Sequence, residues 1–219
     1  MFTSIHVIGM GRVGTAIAGR LQERGIALTD RDPDLALLCV PDMKIAEVAA
    51  GIPAGPWVAH VSGATPLAAL GGHTRRFTMH PLQTFTRARG PEQLDGAWAA
   101  IGGATDEARA RGAWLARELG LRPFEIREES RVLYHAAATI ASNYLVTLFR
   151  SASVLLRRAG VSSEVLLPLM QRTIDNGFDL TGPIVRGDRT TVQAHLAAIH
   201  DAAPELEPMY RALAEVTAP

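Results

Sequence analysis

Cysteine occurs once in the 219 residues, at Cys39, so no disulfide can form within the chain. It lies in the apolar run Leu37-Leu38-Cys39-Val40 and reads as a small core side chain rather than a nucleophile. Lysine also occurs once, at Lys44. Any mechanism that needs an ammonium group in the second half of the chain is therefore excluded. Charge of one sign is not in excess: 22 basic residues balance 22 acidic ones. That balance argues against an electrostatic nucleic-acid binder. No uninterrupted apolar run approaches the ~20 residues of a membrane span. The first apolar run belongs to a glycine motif, not to a secretory signal, so the sequence reads as cytoplasmic, with no membrane partner. The seven histidines and the lone cysteine show no compact metal-ligand spacing, and no metal site is expected.

What is present is a hydrophobic share of 47%, enough for a sizeable core. Residues 1–127 alternate β-like runs with helical patterns, the signature of an α/β domain. The β-like runs are Ile5–Ile8, Leu35–Val40, Trp57–Val61, Arg76–Met79, Ala97–Ile101 and Arg122–Ile126. Helical patterns cover Val13–Arg24, Lys44–Ala50, Pro66–Leu70 and Glu107–Leu119, with Gly120 as a stop. Residues 128–219 read as all-helical. A rod from Arg131 to Ala159 would be about 44 Å long. It is apolar almost all round, a pattern that predicts burial. Further helices are expected around Glu164–Asp175, Arg189–His200, capped by Asp188, and Glu205–Ala214.

The stretch Ile5-His6-Val7-Ile8-Gly9-Met10-Gly11-Arg12-Val13-Gly14 places GxGxxG between a strand and a helix. In that context Gly9 permits the tight turn and Gly11 lets a diphosphate approach the backbone. Gly14 lets strand and helix pack closely. The helix N-terminus offers free amides and partial positive charge to an anion. Gly9, Met10, Gly11, Arg12, Val13 and Gly14 are thus candidate cofactor-binding residues. Val40 and Pro41, at the end of the next long strand, are candidates to flank the cofactor. Asp30 stands at the usual spacing of a ribose-binding acid, with Arg31 beside it. Yet only Asp30–Asp34 separate that region from Leu35, too few for a crossover helix. The second-strand region is therefore shortened. Either Ile26–Thr29 is a stub strand with a direct return, or the strand is lost.

Three clusters could carry chemistry: His60-Val61-Ser62-Gly63, His80-Pro81-Leu82-Gln83, and Tyr134-His135 with Asn143. His135, Thr139 and Asn143 differ by steps of four and would form one polar stripe on the rod. His80, held extended by Pro81, is the candidate general acid/base. His135 and Asn143 join it as catalytic candidates, and Ser62 and Gln83 as substrate-binding ones.

The motifs VIGMGRVG, CVPD, HVSGA, MHPLQTF, YHAAATIASNYL and LTGPIVRGD together resemble a family of uncharacterised Rossmann-like proteins with a C-terminal helical domain of unknown function. More distantly the layout is similar to the 6-phosphogluconate and β-hydroxyacid dehydrogenase superfamily, ketopantoate reductase, pyrroline-5-carboxylate reductase and prephenate dehydrogenase. The resemblance implies NADP(H) at the first turn, with NAD as the other option. It also implies a small-molecule substrate in a cleft between the domains, and a homodimer made through the helices. In β-hydroxyacid dehydrogenases a lysine precedes the helix asparagine by one turn; here Asn143 matches the asparagine, but Thr139 stands in place of the lysine. Prephenate dehydrogenase uses a histidine in a His-Pro turn, which His80-Pro81 resembles. Two readings stand: an NADP-dependent oxidoreductase acting on a hydroxy acid, keto acid or imine, and a dinucleotide-sensing dimer without chemistry.

Overall fold

The computed structural model describes residues 1–218. Seven strands form one sheet in the order β2-β1-β3-β4-β5-β6-β7. They are β1 Ser4–Ile8, β2 Ala27–Leu28, β3 Leu35–Leu38, β4 Trp57–His60, β5 Arg76–Leu82, β6 Trp98–Gly103 and β7 Arg122–Glu125. All neighbours are parallel except β5 and β6, which run antiparallel. This is the Rossmann-like α/β sheet that the alternating pattern implied. One face carries α1 (Arg12–Glu23) and α3 (Asp106–Glu118), whose Ile17, Leu21 and Leu115 share a core with Ile5, Leu37 and Phe77. The other face carries α2 (Ile45–Ala50) and a short 3-10 turn at Leu67–Leu70, where an α-helical pattern was expected.

The shortened region is a stub strand with a direct return. β2 pairs with β1 only through Ser4↔Ala27 and Ile5↔Leu28. The chain has come back to the start of β1 by Asp34, whose carboxylate accepts hydrogen bonds from the Thr3 and Ser4 amides at 2.6 and 3.1 Å. A crossover helix is unnecessary because β2 never climbs past the lower half of β1. The sheet face it would have covered is open. A cavity of about 980 Å³ there is lined by His6, Ile8, Ala36 and Asp30, among others.

Contacts divide the chain into two compact units, one spanning Met1–Thr139 and one beginning at Ile140. The change from mixed to helical structure near residue 127 precedes this boundary, because Arg131, Tyr134 and His135 belong to the sheet unit. The rod is not one α-helix. It comprises α4 (Arg131–Thr139), a π-helical turn at Ile140–Tyr144 and α5 (Leu145–Arg158). A π turn bonds five residues apart, so the expected register of steps of four from His135 to Asn143 is broken. The expectation of burial is also corrected. Val132, Leu133 and Ile140 are 71%, 78% and 60% exposed. Apolarity all round predicts burial only where neighbouring chain covers every side. By length and composition the run Glu128–Arg158 could cross a membrane. Its first turn, however, is tied into the sheet by Arg131. The helical unit continues with α6 (Leu166–Asp175), α7 (Arg189–Ala202) and α8 (Glu207–Thr217). Asp188 caps α7 as expected, accepting from the Thr191 amide at 3.0 Å.

Candidate functional site

Two glycines of the first turn meet the steric demands that their spacing suggested. Gly9 has φ +101°, and a Cβ there would sit 2.7 Å from the Cys39 carbonyl oxygen. A Cβ on Gly14 would overlap the Gly9 carbonyl oxygen. Both positions are fixed by the fold itself. Gly11 differs: a Cβ there would meet nothing within 4 Å. Its freedom from side-chain bulk opens the backbone to something outside the chain. α1 starts next, with no side-chain cap and no acidic residue in its first turn. Its leading amides, Arg12 and Val13 among them, are left for an anion. Val40 lies against Gly9, its Cγ1 3.0 Å from where a Cβ would be. Pro41 opens the short turn Asp42–Lys44, accepting from the Lys44 amide at 2.8 Å. These residues fit the diphosphate end of a dinucleotide. The thiol of Cys39 is pushed up to about 12 by burial, which keeps it an inert core group.

The second feature is a cluster of rings. β5 delivers His80 and α4 delivers Tyr134 and His135. His80 Nδ1 and the Tyr134 hydroxyl are 2.8 Å apart. The His80 ring centroid is 5.6 Å from that of Tyr134 and 5.9 Å from that of His135. Gly63 permits the approach. A Cβ there would lie 2.5 Å from His135 Cδ2 and 2.9 Å from His80 Nε2. His60, at the end of β4, is fully buried, and its Nδ1 accepts the Ser62 amide at 3.2 Å. His80 falls to about 4, first through burial and then through the charges of His135 and Arg131. His60 also falls to about 4, through burial and then Arg131. Burial pushes the Tyr134 hydroxyl up to about 12. Near neutral pH the imidazoles of His60 and His80 are therefore neutral and the Tyr134 phenol is protonated.

Arg131 is the positive charge that adds to burial in lowering His60 and His80 and that opposes burial at Tyr134, and the sequence reading did not single it out. It is 1% exposed. Its Nη2 donates to Thr78 Oγ1 at 2.6 Å and lies 3.3 Å from the Glu128 carboxylate. It occupies the hollow left by Gly102, where a Cβ would come within 2.6 Å of Nη2. A signal existed in the sequence. Arginine at the first position of a helix stands where the helix dipole favours acids, so a specific partner is implied.

Other candidates have structural duties. Ser62 Oγ accepts from the Thr65 and Ala64 amides at 2.9 and 3.3 Å and donates to Thr65 Oγ1 at 2.9 Å, so its capacity is spent on the turn. The Gln83 amide donates to the Gln93 carbonyl, and its oxygen accepts from the Thr84 amide. Thr139 donates back to the His135 carbonyl at 3.0 Å. Asn143 lies in the π turn of the second unit, exposed, with Ser142 Oγ donating to its Oδ1 at 3.4 Å. Among the described residues no group of three metal-ligating side chains gathers.

Solved structures share the whole architecture. A Bacteroides fragilis protein described as an NADP oxidoreductase superposes with a TM-score of 0.82 at 23% identity, over 98% of this chain and 97% of that one. A reductive aminase of Aspergillus terreus, in complex with NADPH and ethyl levulinate, gives 0.68 at 19% identity over 98% and 93%. An imine reductase of Streptomyces aurantiacus gives 0.66 at 15% over 97% and 92%. Identities this low establish the fold. No curated protein matches the sequence significantly. The model of a family defined by a domain of unknown function, DUF2520, matches residues 97–217, more than half of the sequence, and the chain belongs to that family.

Proposed function

We propose that this protein is an NADP-dependent oxidoreductase acting on a small carbonyl or imine compound, or on the corresponding alcohol or amine. The observation that carries the chemistry is the 2.8 Å contact between His80 Nδ1 and the Tyr134 hydroxyl, backed by a buried guanidinium. The open Gly11 and the uncapped start of α1 support dinucleotide binding by Gly9–Gly14, with Val40 and Pro41 alongside. Oxidoreductases that share the fold, one of them with NADPH bound, favour NADP as the cofactor.

The nicotinamide, when bound, supplies or accepts the hydride. The chain handles the proton. In the oxidative direction Tyr134 Oη takes the proton of the substrate O–H or N–H while passing its own to His80 Nδ1. In reduction Tyr134 Oη gives its proton to the substrate oxygen or nitrogen as the hydride arrives, and the phenol is reprotonated from solvent through His80. His80, held near 4, releases the proton quickly and does not trap it. Arg131 stabilises any negative charge that develops on the phenol oxygen. His135 packs against His80 and bounds the site.

The expected assay is NADPH consumption with a panel of keto acids and imines. Tyr134→Phe and His80→Asn should each lower kcat by about 100-fold or more, the typical worth of a positioned acid/base. Dinucleotide affinity should stay within about twofold of wild type, because neither side chain belongs to the glycine turn. Tight binding of NADPH with no turnover on any substrate would favour the sensor reading, which the absent lysine supports. We propose further that the helical unit pairs with a second copy. Leu167, Leu169 and Phe178 are 56%, 62% and 67% exposed, an apolar load that a homodimer would cover. Light scattering at micromolar concentration tests this, and a monomer would refute it.

A further inference from the structure

The segment after the His80 strand makes a second wall beside the glycine turn. A cavity of about 340 Å³ is lined on one side by Met10, Gly11, Arg12 and Thr15, and on the other by Thr86, Arg87, Arg89 and Pro91. Among the described residues, three arginines and no acidic residue line it. Arg89 has Glu92 at 4.0 Å, but Glu92 also accepts the Gly90 amide. Among the described residues Arg12 and Arg87 form no ion pair. In a chain of zero net charge, this gathering of one sign around one hollow calls for an anion.

The wall is built rather than draped. Gln93 is 5% exposed. Its side-chain oxygen accepts the Thr86 amide at 2.8 Å, and its nitrogen faces the Thr86, Arg89 and Gly90 carbonyls at 3.3, 2.7 and 3.0 Å. One buried amide thus fixes both ends of the loop that carries Arg87 and Arg89. Pro91 seats it on α1, where a Cβ on Gly19 would come within 3.2 Å of the proline ring. Arg20 donates to the Pro91 carbonyl at 3.0 Å. Holding the loop in advance lowers the ordering cost of clamping a ligand.

We propose that Arg87 and Arg89 clamp the diphosphate of the dinucleotide from the side facing Gly11 and the start of α1. This rests on the dinucleotide reading of the glycine turn. Two phosphoryl groups would then lie between helix amides and a pair of guanidinium groups, whose planar donors suit phosphate oxygens. The diphosphate is common to NADPH and NADH, so the clamp binds both alike and does not discriminate between them.

The test is a fluorescence titration of the full chain with NADPH and with NADH, on wild type and the Arg87→Gln/Arg89→Gln double variant. Kd should rise about tenfold for both dinucleotides, the order expected of two partly exposed charge-assisted contacts. The rise should shrink with added salt. Arg87→Lys/Arg89→Lys should recover part of the affinity and controls for folding. A rise for NADPH alone would assign the groove to the 2′-phosphate and overturn the diphosphate clamp. Equal binding by wild type and double variant would overturn it too, leaving the glycine turn in place. A wild type that binds neither dinucleotide would remove the oxidoreductase reading together with the clamp.

Discussion

Lowering the pH from about 6 to about 5 will cost this protein stability in proportion to its buried imidazoles. His60 and His80 each stay neutral in the fold down to about 4, whereas an unfolded histidine takes a proton near 6.5. Between those values the unfolded chain binds protons that the folded chain refuses, so acid favours unfolding. The stability is fully present above about 6.5 and drains away as the pH falls towards about 4. Each histidine contributes a slope of up to about 1.4 kcal/mol per pH unit, and about 2 kcal/mol has been lost per histidine by pH 5. Together that is about 4 kcal/mol, against the roughly 5–15 kcal/mol that a domain commonly has. The assay is urea denaturation at several pH values between about 7 and 5, above the range where unfolded carboxylates titrate. His60→Asn and His80→Asn will each remove about half of the slope. Any fixed cost of the substitution shifts the whole curve and cancels from the slope. A wild-type slope below about 0.5 kcal/mol per pH unit, or variants that keep the full slope, would refute the reasoning.

Gly11→Ala should leave thermal stability within about 2 °C of wild type but weaken NADPH binding at least tenfold, since the added methyl meets only the ligand's space. Gly14→Ala should fail to fold or lose several degrees, because its methyl collides with the Gly9 carbonyl. Equal behaviour of the two variants in melting and titration experiments would break the division of labour in the turn. Gly63→Ala drives a methyl between His80 and His135, and turnover should fall by about 100-fold or more with NADPH affinity unchanged. Single-turnover kinetics beside a binding titration would show whether the loss lies in the chemical step.

The sheet was legible because its pieces are local. Runs such as Trp57–Val61 and Arg76–Met79 are bounded by turn residues, and the observed strands lie within a few residues of them. The stub β2 was legible as one of two options, since the five residues to Leu35 ruled out a helix. The structural part of the glycine turn was legible, since Gly9 and Gly14 answer steric demands that sequence spacing encodes. The π turn could not: Ile140-Ala141-Ser142-Asn143-Tyr144 has no proline or glycine to mark a break. The exposure of Val132 and Leu133 was equally hidden, because apolarity says what wants cover and not what provides it. Ser62 and Gln83 drew attention as polar groups beside a strand end, but their hydrogen bonds close on the backbone around them. Arg131 and Gly102 meet across distant sequence, and such a pair is visible only once the chain has folded.

The direct return after β2 has a consequence for where the sheet is stiff. In β3 and β4 every residue is buried, but in β1 only Ile5 is. β1 lies inside the strand order and still has an open cavity against one face along His6 and Ile8. Its amides should exchange with deuterium sooner than those of β4 and β5. The slow-exchanging heart of this sheet is thus displaced from the strand that leads into the glycine turn to the strands that carry His60 and His80.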